Sequence, residues 1–343
     1  MRRVVLQNGK IIGEGRKPYI VAEANSSHNG SITAAKEMVK KASEIGCDCI
    51  KFQSWSAETL YSKSFYRENP ISGRIVKKFS LTLAEQKELA GYCKECGIDF
   101  ASTPYAEEEV DFLVDECKVP FIKIASMELN NYPFLNYIAS KHIPIVLATG
   151  MGNWDEIQRA VEVVQKTGNP DLCILHCVSV YPADYSQMNL LNIKALMEKY
   201  PEYVIGLSDH SAGTECGVAA VAMGAGLIEK HFTLDNSRIG MDNQMAAEPH
   251  VFKELVDQCC HVFQALGSEE REVTNEEMDM RNKMRRSVVT TRKISAGEIL
   301  KAEDLTAKRP GNGLPPEMAE KLIGKTVLRD LDSEAMVSLE DIN

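Results

Sequence analysis

The chain has 343 residues, 44% of them hydrophobic and 26% charged, with a formal net charge of −10 at pH 7. This is an ordinary globular composition, long enough for one large core and a small appendix. The acidic balance argues against general binding to nucleic acid or an anionic membrane, although local lysines can still build one anion pocket. No stretch approaches the roughly 20 apolar residues that span a bilayer.

In chain order, the opening Met1-Arg-Arg-Val-Val-Leu is too poor in apolar residues to read as a signal peptide. With ten cysteines, the expectation is reduced thiols in the cytoplasm. Val4-Val-Leu, the turn signal Asn8-Gly9 and Ile11-Ile12 predict a hairpin. After Pro18, apolar strands alternate with amphipathic helices. The predicted strands are Tyr19–Asn25, Cys49–Gln53, Phe100–Thr103, Phe121–Ser126, Pro144–Thr149, Leu172–Ser179, Val204–Ser208 and Leu227–Phe232. Helical patterns lie between them at Thr33–Ile45, Leu81–Cys96, Glu107–Cys117, Trp154–Lys166 and Gly213–Gly224, and Pro249–Leu266 supplies the last. Cys93 and Cys96 form a lone Cys-x-x-Cys inside a helical run, which reads as ordinary buried thiols rather than a zinc site. Eight strand–helix units over about 250 residues predict an α/β fold, the (β/α)8 TIM barrel. A doubly wound sheet is the alternative, but no Gly-x-Gly-x-x-Gly turn is present.

From Gly267 the composition turns charged and poor in apolar residues, so 268–284 reads as a linker with a partial helix. Residues 285–343 then form a small unit of short strands, which would bury little core alone. The domains expected are thus 1–267, a barrel entered through the hairpin, and 285–343.

The strand ends carry the polar residues: Glu23, Lys51 and Gln53, Ser102 and Thr103, Lys123 with Ser126 and Glu128, Thr149, Ser179, Ser208 to His210, and His231. In a barrel these converge on the carboxyl-terminal face, where active sites of the fold lie. His210 and His231 close consecutive apolar runs. If those runs are parallel neighbours, their ends stand about 5 Å apart and both imidazoles can reach one divalent cation. His142, His250 and His261 fall on helical segments and are read as structural. His176 is left open between core and site, and His28 is placed at the cleft.

These motifs together carry a resemblance. Glu23-Ala-Asn-Ser-Ser-His28-Asn-Gly, Lys51-Phe-Gln53, Ser102-Thr-Pro, Lys123-Ile-Ala-Ser126-Met-Glu128, Thr149-Gly-Met and His176-Cys-Val-Ser-Val-Tyr181-Pro come first. Gly206-Leu-Ser-Asp-His210, Glu229-Lys-His231-Phe-Thr and Lys308-Arg309-Pro-Gly-Asn-Gly follow. In this order the chain resembles the sialic acid synthase family, barrel enzymes with a carboxyl-terminal SAF (antifreeze-like) domain. The resemblance implies condensation of phosphoenolpyruvate with an N-acylated amino sugar, N-acetylmannosamine by default, to a nine-carbon 2-keto sugar acid with release of phosphate. It places a divalent metal, Mn²⁺ or Mg²⁺, on His210 and His231, as Lewis acid for the open-chain aldehyde. It sets Lys51, Thr103, Lys123, Ser126, Ser179 and Ser208 around phosphoenolpyruvate, and Glu23, Gln53, Tyr181, Asp242 and Arg309 around the sugar. Glu128 is expected to handle protons at the phosphate-bearing carbon, with Glu23 also in the catalytic set. Arg309 is expected to reach the N-acyl group across a domain-swapped homodimer, its planar fork suiting a carbonyl oxygen.

Four features depart from the family pattern: Ala148 where a serine is common, Ser179 for a common asparagine, Asn25-Ser-Ser in the first motif, and Gly240-Met in place of Gly-Pro. They surround the substrates, so legionaminic or pseudaminic precursors stay open as acceptors. A rival reading is a pyruvate-dependent metal aldolase on the same barrel. A noncatalytic ice-binding protein would need a flat threonine array, whereas the terminal segment is rich in Lys, Glu and Asp.

Overall fold

The computed structural model describes residues 2–13 and 15–343; Met1 and Glu14 lie outside the described residues. Two compact units emerge, Met1–Gly267 and Ser268–Asn343. The first begins with an antiparallel pair, β1 (Arg3–Val5) and β2 (Ile11–Gly13). Eight parallel strands follow: β3 (Tyr19–Asn25), β4 (Cys49–Ser54), β5 (Asp99–Pro104), β6 (Ile122–Ile124), β7 (Ile145–Ala148), β8 (Leu172–Cys177), β9 (Val204–Asp209) and β10 (Leu227–His231). They hydrogen-bond in the order β5-β4-β3-β10-β9-β8-β7-β6, and the end strands β5 and β6 pack side by side. The sheet therefore wraps into the expected (β/α)8 barrel. Two expected strands stop early: β6 gives way to a tight turn at Ser126–Glu128, and β8 ends at Cys177.

The helices form where apolar spacing and caps agree. In Trp154–Lys166, the Asn153 side chain accepts from the N–H groups of Asp155 and Glu156 while Glu156 reaches back to the cap. Its buried residues, Ile157, Ala160, Val161 and Val164, fall on one stripe. Between β4 and β5 lie three short helices that periodicity did not reveal, Ala57–Leu60, Lys63–Glu68 and Pro70–Phe79. Their visible signals are the serine caps Ser56 and Ser62 and a proline opening the third. His142, expected on a helix, instead occupies a turn with a left-handed backbone (φ 52°) after the helix Tyr132–Ala139.

Side-chain alternation along the strands decides where the chemistry can sit. Val4, Leu6 and Ile12 of the opening segment pack with Tyr19, Val21, Cys49, Phe121, Val146, Cys173, Leu175 and Leu227. These share a strand face, two or more residues back, with Glu23, Lys51, Lys123, Ala148, Cys177 and Glu229. The hairpin side of the barrel interior is thus apolar and closed, and the next layer toward the strand ends is charged. A separate core of aliphatic and aromatic residues fills the space between sheet and helices.

The second unit holds a helix, Asn275–Met284, capped by Thr274, and an antiparallel pair, β11 (Ser287–Thr290) with β12 (Leu305–Lys308). Val288, Ile294, Leu300, Leu322, Val327, Leu331 and Val337 form its own buried core. Among the described residues, no helix is long and apolar enough to cross a membrane.

Candidate active site

At the carboxyl-terminal end of the barrel a cavity of about 340 Å³ opens. It is lined by Glu23, Lys51, Gln53, Thr103, Lys123, Ser126, Ser179, Tyr181, Ser208, His210, His231 and Asp242, all singled out from the sequence. Glu229, Asn25, Trp55, Tyr105 and Cys177 also line it, and the sequence reading assigned none of them a role. Two expected residues, Glu128 and His28, are absent from the lining. Glu128 sits half-buried in the turn after β6, accepts a hydrogen bond from Asn131 at 2.7 Å, and is absent from the lining. Arg309 belongs to the second unit and is exposed there.

The floor is a network of opposite charges. Lys51 is ion-paired with Glu23, donates to the Thr103 hydroxyl at 3.1 Å, and stands 3.8 Å from Glu229. Lys123 reaches Glu229 at 3.3 Å, and Ser208 donates to the same carboxylate oxygen at 3.1 Å. All four charged side chains are at most 6% exposed. Burial raises the Glu23 carboxyl above the usual range, helped by the charge of Glu229 and opposed by Lys51. Burial also acts upward on Glu229, but Lys123, Lys51 and the Ser208 hydroxyl outweigh it and hold that carboxyl below its ordinary value. Both carboxyls are thus held against buried cations, and their surroundings push them in opposite directions. Glu229 was legible in principle: it lies two residues before His231 on the same strand, hence on the same face.

On the wall formed by β9 and β10, the His210 and His231 rings lie 5.3 Å apart between centroids, inclined at 66°. The strands are parallel neighbours, as expected, with Ser208 opposite Glu229 and Asp209 opposite Lys230. His210 Nδ1 hydrogen-bonds the Val178 carbonyl at 2.7 Å, which leaves Nε2 as the nitrogen with a lone pair. His231 is buried with its Nδ1 unpartnered, 3.9 Å from Asp242 Oδ2. Burial, with the charges of neighbouring lysines, pushes its pKa well below the usual value, so the ring is neutral and able to ligate. Among the described residues no group of three or more His, Cys, Asp or Glu is poised around one metal position. The donor set fits an ion held by two imidazoles with its remaining positions open to water and substrate. Behind the wall, Lys230 donates to Asp209 at 2.8 Å and to the Ser211 carbonyl at 2.5 Å, tying the two strands together at the residues just before each histidine.

Elsewhere in the lining, the Ser126 hydroxyl accepts from the Gly150 N–H at 3.0 Å. A Cβ on Gly150 would come within 2.2 Å of the Ser179 hydroxyl oxygen and 2.7 Å of that of Ser126. Glycine is what lets this loop close on both serines. Tyr181 covers the histidines, its ring 4.2 Å from that of His210.

His28, expected at the cleft, is not in the lining; it holds the loop after β3. It is 3% exposed, its Nδ1 accepts from the Gly30 N–H at 3.1 Å, and a backbone bond links it to Asn25. Burial lowers its pKa to about 4. Since the unfolded value is higher, near 6.5, protonation favours the unfolded chain. The stability contributed is whole above about pH 6.5 and is lost as the pH falls through about 4, in total roughly 3 kcal/mol. Urea unfolding of wild type and His28→Gln between pH 7 and 4.5 should show the wild type losing stability relative to the variant. Parallel curves would contradict this. His176 is likewise structural, its Nε2 placed 2.6 Å from the Met188 carbonyl. All ten cysteines are free thiols, Cys93 buried within the helix Leu83–Cys96.

Residues 38–271 match the NeuB family and residues 285–343 the SAF domain. The N,N'-diacetyllegionaminic acid synthase of Campylobacter jejuni is 35% identical over 333 residues, 94% of this chain and 99% of that protein. The N-acetylneuraminate-9-phosphate synthase of Mus musculus is also 35% identical, over 97% of this chain and 95% of its own length. The solved N-acetylneuraminic acid synthetase from Leptospira borgpetersenii is 32% identical with a TM-score of 0.74, covering 82% of this chain and 97% of that one. This chain belongs to the NeuB family and is a synthase of that type, with a SAF domain following its barrel.

Proposed function

We propose that this protein condenses phosphoenolpyruvate with an N-acylated amino sugar to give a nine-carbon 2-keto sugar acid and phosphate. The observation that supports this most directly is the cavity itself, where two lysines and serine hydroxyls suited to an anion face a pair of imidazoles suited to a cation. In the reaction, carbon three of the enol ester bonds to the aldehyde carbon of the open-chain sugar, and the aldehyde oxygen takes a proton. Water adds at carbon two and the carbon–oxygen bond to phosphate breaks, leaving the ketone.

Lys51 and Lys123, with Thr103, Ser126, Ser179 and Ser208, bind and orient the phosphate and carboxylate. Glu23, in the lining against Lys51, and Glu128, in the turn after β6, are the carboxyls assigned to proton handling. Gln53, Tyr181 and Asp242 contact the sugar. A divalent cation, Mn²⁺ or Mg²⁺, would be held by His210 and His231 and would supply Lewis-acid polarisation of the aldehyde. The homodimer, with Arg309 reading the acyl group across it, is part of the same proposal and rests on the resemblance to the family.

The relatives named above are synthases of different sugar acids at equal identity, so the proposal stops at the class of N-acylated amino sugars. A panel tests the reading: N-acetylmannosamine, its 6-phosphate and diacetamido-deoxy hexoses, each with phosphoenolpyruvate or pyruvate and Mn²⁺, following phosphate and 2-keto acid together. Equal release of both, dependent on phosphoenolpyruvate and one acceptor, is expected. Product from pyruvate without phosphate would make the protein an aldolase.

A further inference from the structure

A residue outside every motif above holds one wall of the cavity in register. Tyr105 lies two residues beyond Thr103, just past the end of β5, and lines the cavity. Its hydroxyl donates to Gln53 Oε1 at 3.1 Å, and Gln53 Nε2 donates in turn to Glu23 Oε1 at 3.2 Å. The other oxygen of Glu23 is paired with Lys51. A directional chain therefore runs across β5, β4 and β3, from a phenol to the charged floor. With Gln53 Oε1 accepting from Tyr105, the amide presents its NH₂ to Glu23. An NH₂ group has two N–H donors, and only one is used by Glu23.

Tyr105 is itself held firmly. Its backbone N–H donates to Glu109 Oε2 at 2.6 Å, and the N–H of Ala106 donates to the same oxygen at 3.1 Å. The Thr59 hydroxyl anchors the other oxygen of Glu109 at 2.8 Å. Its ring lies 6.1 Å from Trp55, tilted by 32°. Burial keeps the phenol protonated and thus a donor.

We propose that Tyr105 is a positioning residue for the acceptor sugar: its hydroxyl locks the Gln53 carboxamide so that one N–H serves Glu23 and the other serves a sugar oxygen. This rests on the reaction proposed above, because Gln53 is assigned there to the sugar.

Tyr105→Phe keeps the ring and removes only the lock. In steady-state phosphate release, the KM for the acceptor should rise about fivefold to tenfold, the loss of roughly one hydrogen bond. The KM for phosphoenolpyruvate and the melting temperature should stay near wild type. On a Gln53→Ala background the same substitution should add almost nothing, because the two residues act as one unit. An unchanged acceptor KM, an equal rise for phosphoenolpyruvate, or full additivity with Gln53→Ala would each overturn the proposal. If the wild type releases no phosphate, the reaction itself is wrong. The lock is then tested by the crystal structure of Tyr105→Phe, where Gln53 should turn away from Glu23; an unmoved amide would refute it.

Discussion

Lys123→Met should reduce phosphoenolpyruvate-dependent phosphate release by about a thousandfold or more, with most of the loss in kcat/KM for that substrate. Two effects combine. The substrate loses a buried, charge-assisted partner for its phosphate or carboxylate, and the cavity floor changes from two cations facing two carboxyls to one. Glu229 then keeps only Ser208 at 3.1 Å and Lys51 at 3.8 Å, and repels an incoming anion. Removing one member of a buried pair also costs about 3–5 kcal/mol of stability, so the single variant should melt at a lower temperature. The double variant Lys123→Met/Glu229→Gln separates the two consequences. Neutralising both partners should recover much of the melting temperature and none of the activity. Lys123→Met turnover within tenfold of wild type would remove this lysine from the anion site. Recovery of activity along with stability would make the pair purely structural.

The same pair shows what a sequence can and cannot disclose. The strands, their order and the residues at their ends were legible because a buried strand leaves a run of apolar residues with polar ones at the exit. His210 and His231 were legible as partners because neighbouring parallel strands place equivalent ends side by side. Lys123 and Glu229 are a different case. They sit on β6 and β10, four places apart around an eight-strand barrel, so they meet across its axis. No local pattern reports that contact. Even so, period-two alternation from His231 would have turned Glu229 inward.

Tyr105 was missed because it stands one residue beyond the end of β5, where strand periodicity has ended and a loop decides direction. Glu128 is a similar case. Its motif follows a strand, but the chain turns immediately at Ser126–Glu128 and carries the carboxylate off the lining. The three short helices after β4 stayed hidden because four to ten residues are too few for a 3.6-residue period to stand out. Ser56, Ser62 and Pro70 at their starts were the available signals.

His231→Ala is expected to remove turnover and to weaken Mn²⁺ binding by two orders of magnitude or more, while leaving the fold intact. A cation bound by two imidazoles and otherwise by water and substrate loses half of its protein ligands in this variant, and nothing nearby replaces them. Asp242 Oδ2 is 3.9 Å from the ring that would be deleted, and Cys177 Sγ is 3.9 Å from His210 Nδ1, the nitrogen engaged with Val178. The fold should tolerate the change because His231 Nδ1 makes no hydrogen bond within the protein. The strand end is secured instead by Lys230 and Asp209 on the other face. Electron paramagnetic resonance of free Mn²⁺ at rising protein concentration measures the affinity without any turnover, and a thermal melt reports the fold. Mn²⁺ affinity and activity both near wild type would dismantle the metal assignment. A collapsed melt with intact binding in the surviving fraction would assign His231 to packing. Lys230→Met supplies the complementary case: it keeps both imidazoles but releases the clamp between the strands. It should lower Mn²⁺ affinity less than His231→Ala and stability more, because there the ligands survive and only their spacing is freed.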